Sequence, residues 1–487
     1  MVKRLANHQW NYETAAHLLN RAGFGGTPRE IQKLAALGLD GAVDSLVDYE
    51  KIPDTIRNPS WAKPDPERLA RFQKIKNAPE QDRQELRKQE QRLQREHLVE
   101  LRQWWLVQML ETPRPLQEKL TLFWHGHFAT SVQKVKDAYL MWRQNDVFRR
   151  NASGSWLTLL TEVSKDPAML IWLDQAQSRK EHPNENFARE VMELFALGEG
   201  HYTEKDITEA ARALTGWSYD RANQEFISRP RMHDTGTKTV LGKMGRFDGD
   251  EILKIIVEQP QSSRFVAEKL WTFFGGENPS DAWMDTLASD FCGNGGNFKP
   301  YLKTIFTSEE FYSESVVRRQ IKSPVQWLIS SSKLLERELP PPQISATALR
   351  LLGQELFAPP NVKGWDGGLS WITTNNLLNR YNFAAYLVLG ENPLAHMAAR
   401  RGNKGMRRTR QIPEGHAIDP TKIVPLDERK DTSTVVNVLG KRFLQASLRG
   451  KQSQTLVEYI ESQAPLDDLD ILHATRLIMS TPEFQLT

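Results

Sequence analysis

The stretch that decides the fold runs Asn184-Glu185-Asn186-Phe187-Ala188-Arg189-Glu190-Val191-Met192-Glu193-Leu194-Phe195-Ala196-Leu197-Gly198, and continues to Leu214-Thr215-Gly216-Trp217. Turned at roughly 100° per residue, Phe187, Val191, Leu194 and Phe195 fall on one side, and Asn186, Arg189, Glu190 and Glu193 fall in a second arc. The period is that of a two-faced helix. Leu197 falls inside the polar arc, which a solvated face would not require, so the carboxylates are expected to line a cleft. Thr203 followed by Asp206 is a capping pattern for a second helix. Its Ile207, Ala210, Ala211 and Leu214 share a face, Gly216 ends it, and Arg212 points to the opposite, polar side.

The same period extends outward. Ala15, Leu18, Leu19 and Ala22 mark one helix ended by Gly23, Gly25 and Gly26. Thr27-Pro28-Arg29-Glu30 starts the next, with a threonine cap and a proline in the first turn. From 78 to 110 alternating charges surround a narrow seam of Leu86, Leu93, Leu101 and Trp105, which predicts one long helix or a hairpin arm with a solvated face. Between Asp220 and Asp250, Phe226, Ile227 and then Thr237 to Gly242 read as a small β-hairpin. Leu302 to Phe311 resembles Thr475 to Phe484, either a unit used twice or a chance likeness of helix ends. The prediction is an all-α protein, a large multi-helix domain with one small β-hairpin insertion near 225 to 242. Along the chain it divides into an N-terminal helical region (1–77), a long charged helix or arm (78–112), a central helical region with the histidine and glutamate motifs (113–219), the hairpin insertion (220–250), a helical region with a tryptophan- and glycine-rich loop (251–390), a basic loop (391–432) and C-terminal helices (433–487).

At 487 residues the chain is long enough for one elaborate domain or two closely packed ones. With 64 basic and 61 acidic residues, net +3, nothing draws the whole chain to nucleic acid or to an anionic membrane. The basic segment Arg400, Arg401, Lys404, Arg407, Arg408 and Arg410 lacks the aromatic residues that nucleic-acid grooves add, so it reads as a solvated loop and nucleic acid is an unlikely partner. Cys292 is the one cysteine, which excludes an intramolecular disulfide and a thiolate metal cluster. No run is long enough to span a bilayer, and the N-terminus lacks an apolar signal core. As written the chain is expected to be cytoplasmic, or exported if a leader has been trimmed.

Four motifs carry a resemblance: His17-Leu18-Leu19-Asn20-Arg21-Ala22-Gly23-Phe24-Gly25, Phe123-Trp124-His125-Gly126-His127-Phe128, Asn184-Glu185-Asn186-Phe187-Ala188-Arg189-Glu190, and Pro359-Pro360-Asn361-Val362-Lys363-Gly364-Trp365. In this order they resemble the large bacterial family catalogued as domain of unknown function 1800, over nearly the whole chain. The resemblance implies no activity. Many members look exported and are encoded near sulfatase-like proteins, a habit from which the absent leader departs.

Candidate chemistry comes from the residues themselves. Glu190 with Glu193 could supply the two carboxylates of a glycosidase, which stand roughly 5 to 10 Å apart. The competing reading is ion pairing of these glutamates with Arg189 and Arg212 inside a helical bundle. His125 and His127 diverge on a regular helix and could hold a divalent metal together only if Gly126 breaks it. Otherwise His125 meets its helix C-terminus and His127 packs in the core. Residues expected to contact a small polar molecule or glycan are Asn184, Asn186, Trp217, the pair His233 and Asp234, and, from the loop 358–371 and just after it, Lys363, Trp365, Trp371 and Arg380. The expected function is a hydrolase acting on a polar, saccharide-type substrate. A metal-dependent enzyme and a non-catalytic helical binding or assembly protein are the alternatives, and the oligomeric state is open.

Overall fold

The computed structural model describes residues 2–391, 418–445, 450–463 and 465–487. The basic segment 400–410 lies outside them. Helices form 65% of the structure and strands only two small sheets, so the fold is all-α.

Helix starts follow the capping chemistry. Asn11, Thr27, Thr203, Asp248 and Asp467 each cap a helix with the reciprocal side-chain bonds of a capping box. The charged segment forms one continuous helix, Glu80–Glu111, with Leu101, Trp105, Leu106 and Met109 buried toward its C-terminal end. Its exposed half carries a short partner helix, Arg68–Asn77, tied back by Arg71 to Glu90 at 3.2 Å. The result is a helical arm rooted in the core.

The hairpin insertion is two hairpins. Strand β1 (Trp217–Asp220) pairs antiparallel with β2 (Glu225–Ser228), and β3 (Lys238–Val240) with β4 (Lys243–Gly245). The first begins earlier than expected because Gly216, at φ +84°, turns the chain straight from the helix Glu204–Ala213 into β1. The two similar segments are locally alike as well: each helix end leads into a 3₁₀ turn whose phenylalanine, Phe311 or Phe484, is fully buried. The two phenylalanines fill different clusters of the core.

Those clusters meet at the helix Pro115–His127, the histidine helix. Every residue from Leu116 to His125 is buried, as befits a helix with no solvent face. Leu116, Leu120, Phe123 and Trp124 enter one cluster and Leu122 the other. At its centre Glu118 receives a bidentate ion pair from Arg149, 2.6 and 3.0 Å, and the Trp105 indole N–H at 2.8 Å. This satisfies a carboxylate that would otherwise cost several kcal/mol to bury. Among the described residues no helix is long and apolar enough to cross a membrane.

Candidate functional site

Gly126 does not break the histidine helix, which runs through it to His127. The two rings therefore diverge, as i and i+2 positions must. His125 is buried among Trp105, Phe357 and Trp365, with ring centroids 5.0 to 5.5 Å away. Its Nε2 accepts the backbone N–H of Phe357 at 3.0 Å, so its proton sits on Nδ1. His127 is the opposite tautomer, its Nε2 donating to the Phe195 carbonyl at 3.0 Å. Burial pushes both imidazoles down to about 3, and nearby Lys269 adds to the shift of His127. Among the described residues no three His, Cys, Asp or Glu side chains converge into a metal-binding group. The pair does not form the shared metal site considered from the sequence, because each ring is committed to a different packing partner.

His125 and His127 hold two other segments onto their helix. The loop Pro359 to Trp365 lies against it so closely that a Cβ on Gly364, at φ +89°, would sit 2.4 Å from the Gly126 carbonyl oxygen. The helix carrying the glutamates docks on the other side through Phe195. That helix is α-helical over Glu185–Glu190 and becomes π-helical over Val191–Ala196. Such insertions are frequent at functional sites. Leu197 leaves the helix and is buried as its C-cap, so its place in the polar arc does not mark a cleft. The carbonyls left open at this end are taken by His127 at Phe195 and by the Gln261 amide at Leu197, 3.2 Å.

Glu190 is half-buried and, among the described residues, has no hydrogen bond or ion pair. Burial and then the neighbouring Glu193 raise its pKa, against a smaller opposing effect of Arg189. Glu193 accepts the Tyr202 hydroxyl at 2.8 Å. Neither glutamate pairs with the arginines expected to neutralise it. Arg189 instead grips Glu204 with two bonds of 2.8 and 2.6 Å. Arg212 is shared between Glu209, 2.9 Å, and Asp234, 2.8 Å, and it holds the Asp234 carboxyl below the usual range.

Several expected ligand contacts are structural. Asn184 caps the carboxylate helix and donates to the Leu173 carbonyl at 2.7 Å. Trp217 is buried edge-on to Phe226 and packs against Gly249, where a Cβ would come within 2.2 Å of its ring. His233 Nδ1 donates to Thr215, and the Asp234 backbone N–H bonds the Thr215 hydroxyl at 2.8 Å, fastening the insertion to the helix end. Arg380 is 1% exposed, its guanidinium given to Gln485 and to the Lys322 carbonyl, so it is not available to a substrate. Asn186 and Lys363 are exposed, and Trp365 and Trp371 are partly so.

Sequence reasoning missed a cavity of about 810 Å³ beside the N-terminus of the carboxylate helix, lined by Lys134, Asp174, Ser178, Arg179, His182, Gly216, Arg221 and Arg229 among others. Ser178 connects the two, its hydroxyl accepting the Asn184 N–H at 3.0 Å. The basic lining residues lie far apart in sequence and follow no motif spacing. The available signal was a pair of arginines, Arg221 and Arg229, in the first hairpin of the insertion.

The family model described as a protein of unknown function, DUF1800, matches residues 17–486. No curated protein and no solved structure matches the chain.

Proposed function

From the premise that the chain belongs to the DUF1800 family, whose description assigns no activity, we propose that it is a hydrolase acting on a polar, saccharide-type substrate. Glu190 is the proton donor and Glu193 the second carboxylate. The observation that carries this reading is the state of Glu190: partly desolvated, without a partner among the described residues, and one turn from a second carboxylate held by Tyr202. Environments that keep one carboxyl protonated beside another that is hydrogen-bonded are those in which acid and base roles separate. Burial and the neighbouring Glu193 raise the Glu190 pKa, which favours its protonated, acid form, while the Tyr202 hydroxyl orients Glu193. The π segment, which begins just after Glu190 and contains Glu193, supports the same placement. Arg189, Arg212, His233 and Asp234 act as scaffold in this scheme. The test is a glycan-library screen with the wild-type chain, followed by Glu190→Gln on any substrate found. Loss of at least about 100-fold in turnover is expected for removal of a general acid, and full activity in the variant refutes the assignment.

A second reading has its own support: most polar candidates are consumed by structural hydrogen bonds, as in a non-catalytic helical binding or assembly protein. Under that reading Glu190, which has no partner among the described residues, lies outside the hydrogen-bonded network, and Glu190→Gln leaves the function unchanged.

A further inference from the structure

The 810 Å³ cavity is unusual in its charge. Arg179, Arg221 and Arg229 reach it from three different segments: the loop before the carboxylate helix, the β1–β2 turn and the end of β2. All three are exposed, and none of their side chains has a hydrogen bond or ion pair among the described residues. Lys134 adds a fourth cation. The acidic lining residue, Asp174, is already bonded to Lys134 at 2.7 Å and leaves the three guanidinium groups uncompensated. Elsewhere arginines of this chain find carboxylates readily, as Arg189, Arg212 and Arg264 do.

The backbone holds the rim in place. Gly216 N–H donates to the Ser178 carbonyl at 3.1 Å and Arg229 N–H to the Gly216 carbonyl at 2.8 Å, while Arg179 and His182 form a two-residue bridge. The approach of Arg229 depends on glycine. Gly216 has φ +84°, and a Cβ there would stand 2.8 Å from the Arg229 carbonyl oxygen. The arginine-bearing segments are thus fixed before any ligand arrives, which lowers the ordering cost of binding.

We propose that this cavity binds a small ligand carrying two or more oxyanion groups, whether phosphate, sulfate or carboxylate. Guanidinium is the side chain whose planar fork matches such groups with paired hydrogen bonds. A concave wall of one charge sign concentrates anions at its mouth. The volume lies within the range of small-molecule sites, roughly 300 to 1,000 Å³, and exceeds what one isolated anion fills. Arginines on three segments therefore engage separate groups of one ligand. The proposal does not depend on the hydrolase reading.

The test is titration calorimetry on the full chain at constant ionic strength. Pyrophosphate and citrate serve as probes without a sugar. Glucose 1,6-bisphosphate, glucose 3,6-disulfate and glucarate distinguish the source of the oxyanions, and glucose is the neutral control. Binding of at least one multivalent probe with a Kd of about 1 mM or tighter is expected, with affinity falling as salt rises. The Arg179→Gln, Arg221→Gln, Arg229→Gln triple variant should weaken that binding about 100-fold or more. Its melting temperature should stay within about 2 °C of wild type, because surface side chains without partners contribute little to stability. Glu190→Gln should bind the probes unchanged, which separates this proposal from the catalytic one. Absence of binding by every anionic probe overturns it. So does equal affinity in the triple variant, or binding of glucose as tight as that of its phosphate ester.

Discussion

The backbone N–H of Phe357 donates to Nε2 of His125 at 3.0 Å, joining a loop to a helix 232 residues earlier in the chain. Removing that acceptor leaves a buried N–H without a partner and a void among Trp105, Phe357 and Trp365. His125→Ala is expected to cost about 3 kcal/mol in urea unfolding. An unchanged midpoint would show that the bond does not hold the loop. The same histidine sets an acid limb. Burial takes its pKa down to about 3 from an ordinary 6.5, so between those values the unfolded chain binds a proton that the folded chain refuses. Stability is then complete above pH 6.5 and declines as pH falls, by about 2 kcal/mol at pH 5 from this residue. His127, lowered in the same way, adds to that decline.

Gly126 and Gly364 face each other but respond oppositely to a methyl group. A Cβ on Gly364 would meet the Gly126 carbonyl oxygen at 2.4 Å from a left-handed backbone, whereas a Cβ on Gly126 meets nothing within 4 Å. Gly364→Ala should therefore destabilise by at least about 2 kcal/mol. Gly126→Ala, inside a helix, should stabilise by about 0.5 to 1 kcal/mol. Thermal melts of the two variants should move in opposite directions, and a loss in both would mean that Gly126 needs its missing side chain for another contact.

Glu190→Gln tests through stability the shifted carboxyl on which the catalytic reading rests. The Glu190 pKa is raised by burial and by Glu193, so the folded chain holds this proton more tightly than the unfolded one. That contribution is present at low pH and lost as pH rises through the folded pKa. At pH 7 the variant removes a carboxyl whose ionisation the folded chain disfavours and should gain a few tenths of a kcal/mol, discounted because the group is half-exposed. At pH 4 the gain should vanish. A lower melting temperature at pH 7 would show that the carboxyl is compensated in the folded chain and would count against the catalytic reading.

The helical period, the capping boxes and the long arm were legible in the sequence because they depend on residues within four positions of one another. Thr27 with Glu30 and Thr203 with Asp206 are such local facts. The glutamate helix defeated the wheel at one point, since the π segment at Val191–Ala196 changes the angle per residue just where Leu197 was placed. The histidines were legible as special but not in role. Their partners, Phe357 and Phe195, contribute backbone atoms, and backbone atoms leave no signature in a sequence. Arg380 was misplaced for a related reason: its burial depends on Gln485 and on the Lys322 carbonyl, both remote from it. The basic cavity was illegible because Ser178, Gly216 and Arg229 are brought together only by tertiary backbone hydrogen bonds.

Lys119 gives the sharpest test of how the core tolerates charge. It is 3% exposed on the histidine helix and has no hydrogen bond among the described residues. Its ammonium lies 5.2 Å from the Phe24 ring centroid and 5.6 Å from that of Phe273. Burial first, and then the charge of Arg21, hold its pKa well below the ordinary 10.5. Two cation–π contacts are worth about 2 kcal/mol each at most, while desolvating an ammonium without a counter-ion costs several kcal/mol. Desolvation should win. Lys119→Met keeps the length and the aromatic contacts without the charge, and is expected to stabilise the chain by about 1 to 2 kcal/mol at pH 7. The unfolded chain keeps this proton up to about pH 10.5, so wild-type stability should rise with pH and the advantage of methionine should shrink toward pH 10. Urea unfolding of both proteins at pH 7 and pH 9.5 measures this directly. A methionine variant less stable than wild type at pH 7 would mean that the aromatic rings compensate the ammonium fully, and that Lys119 is a structural element of the core.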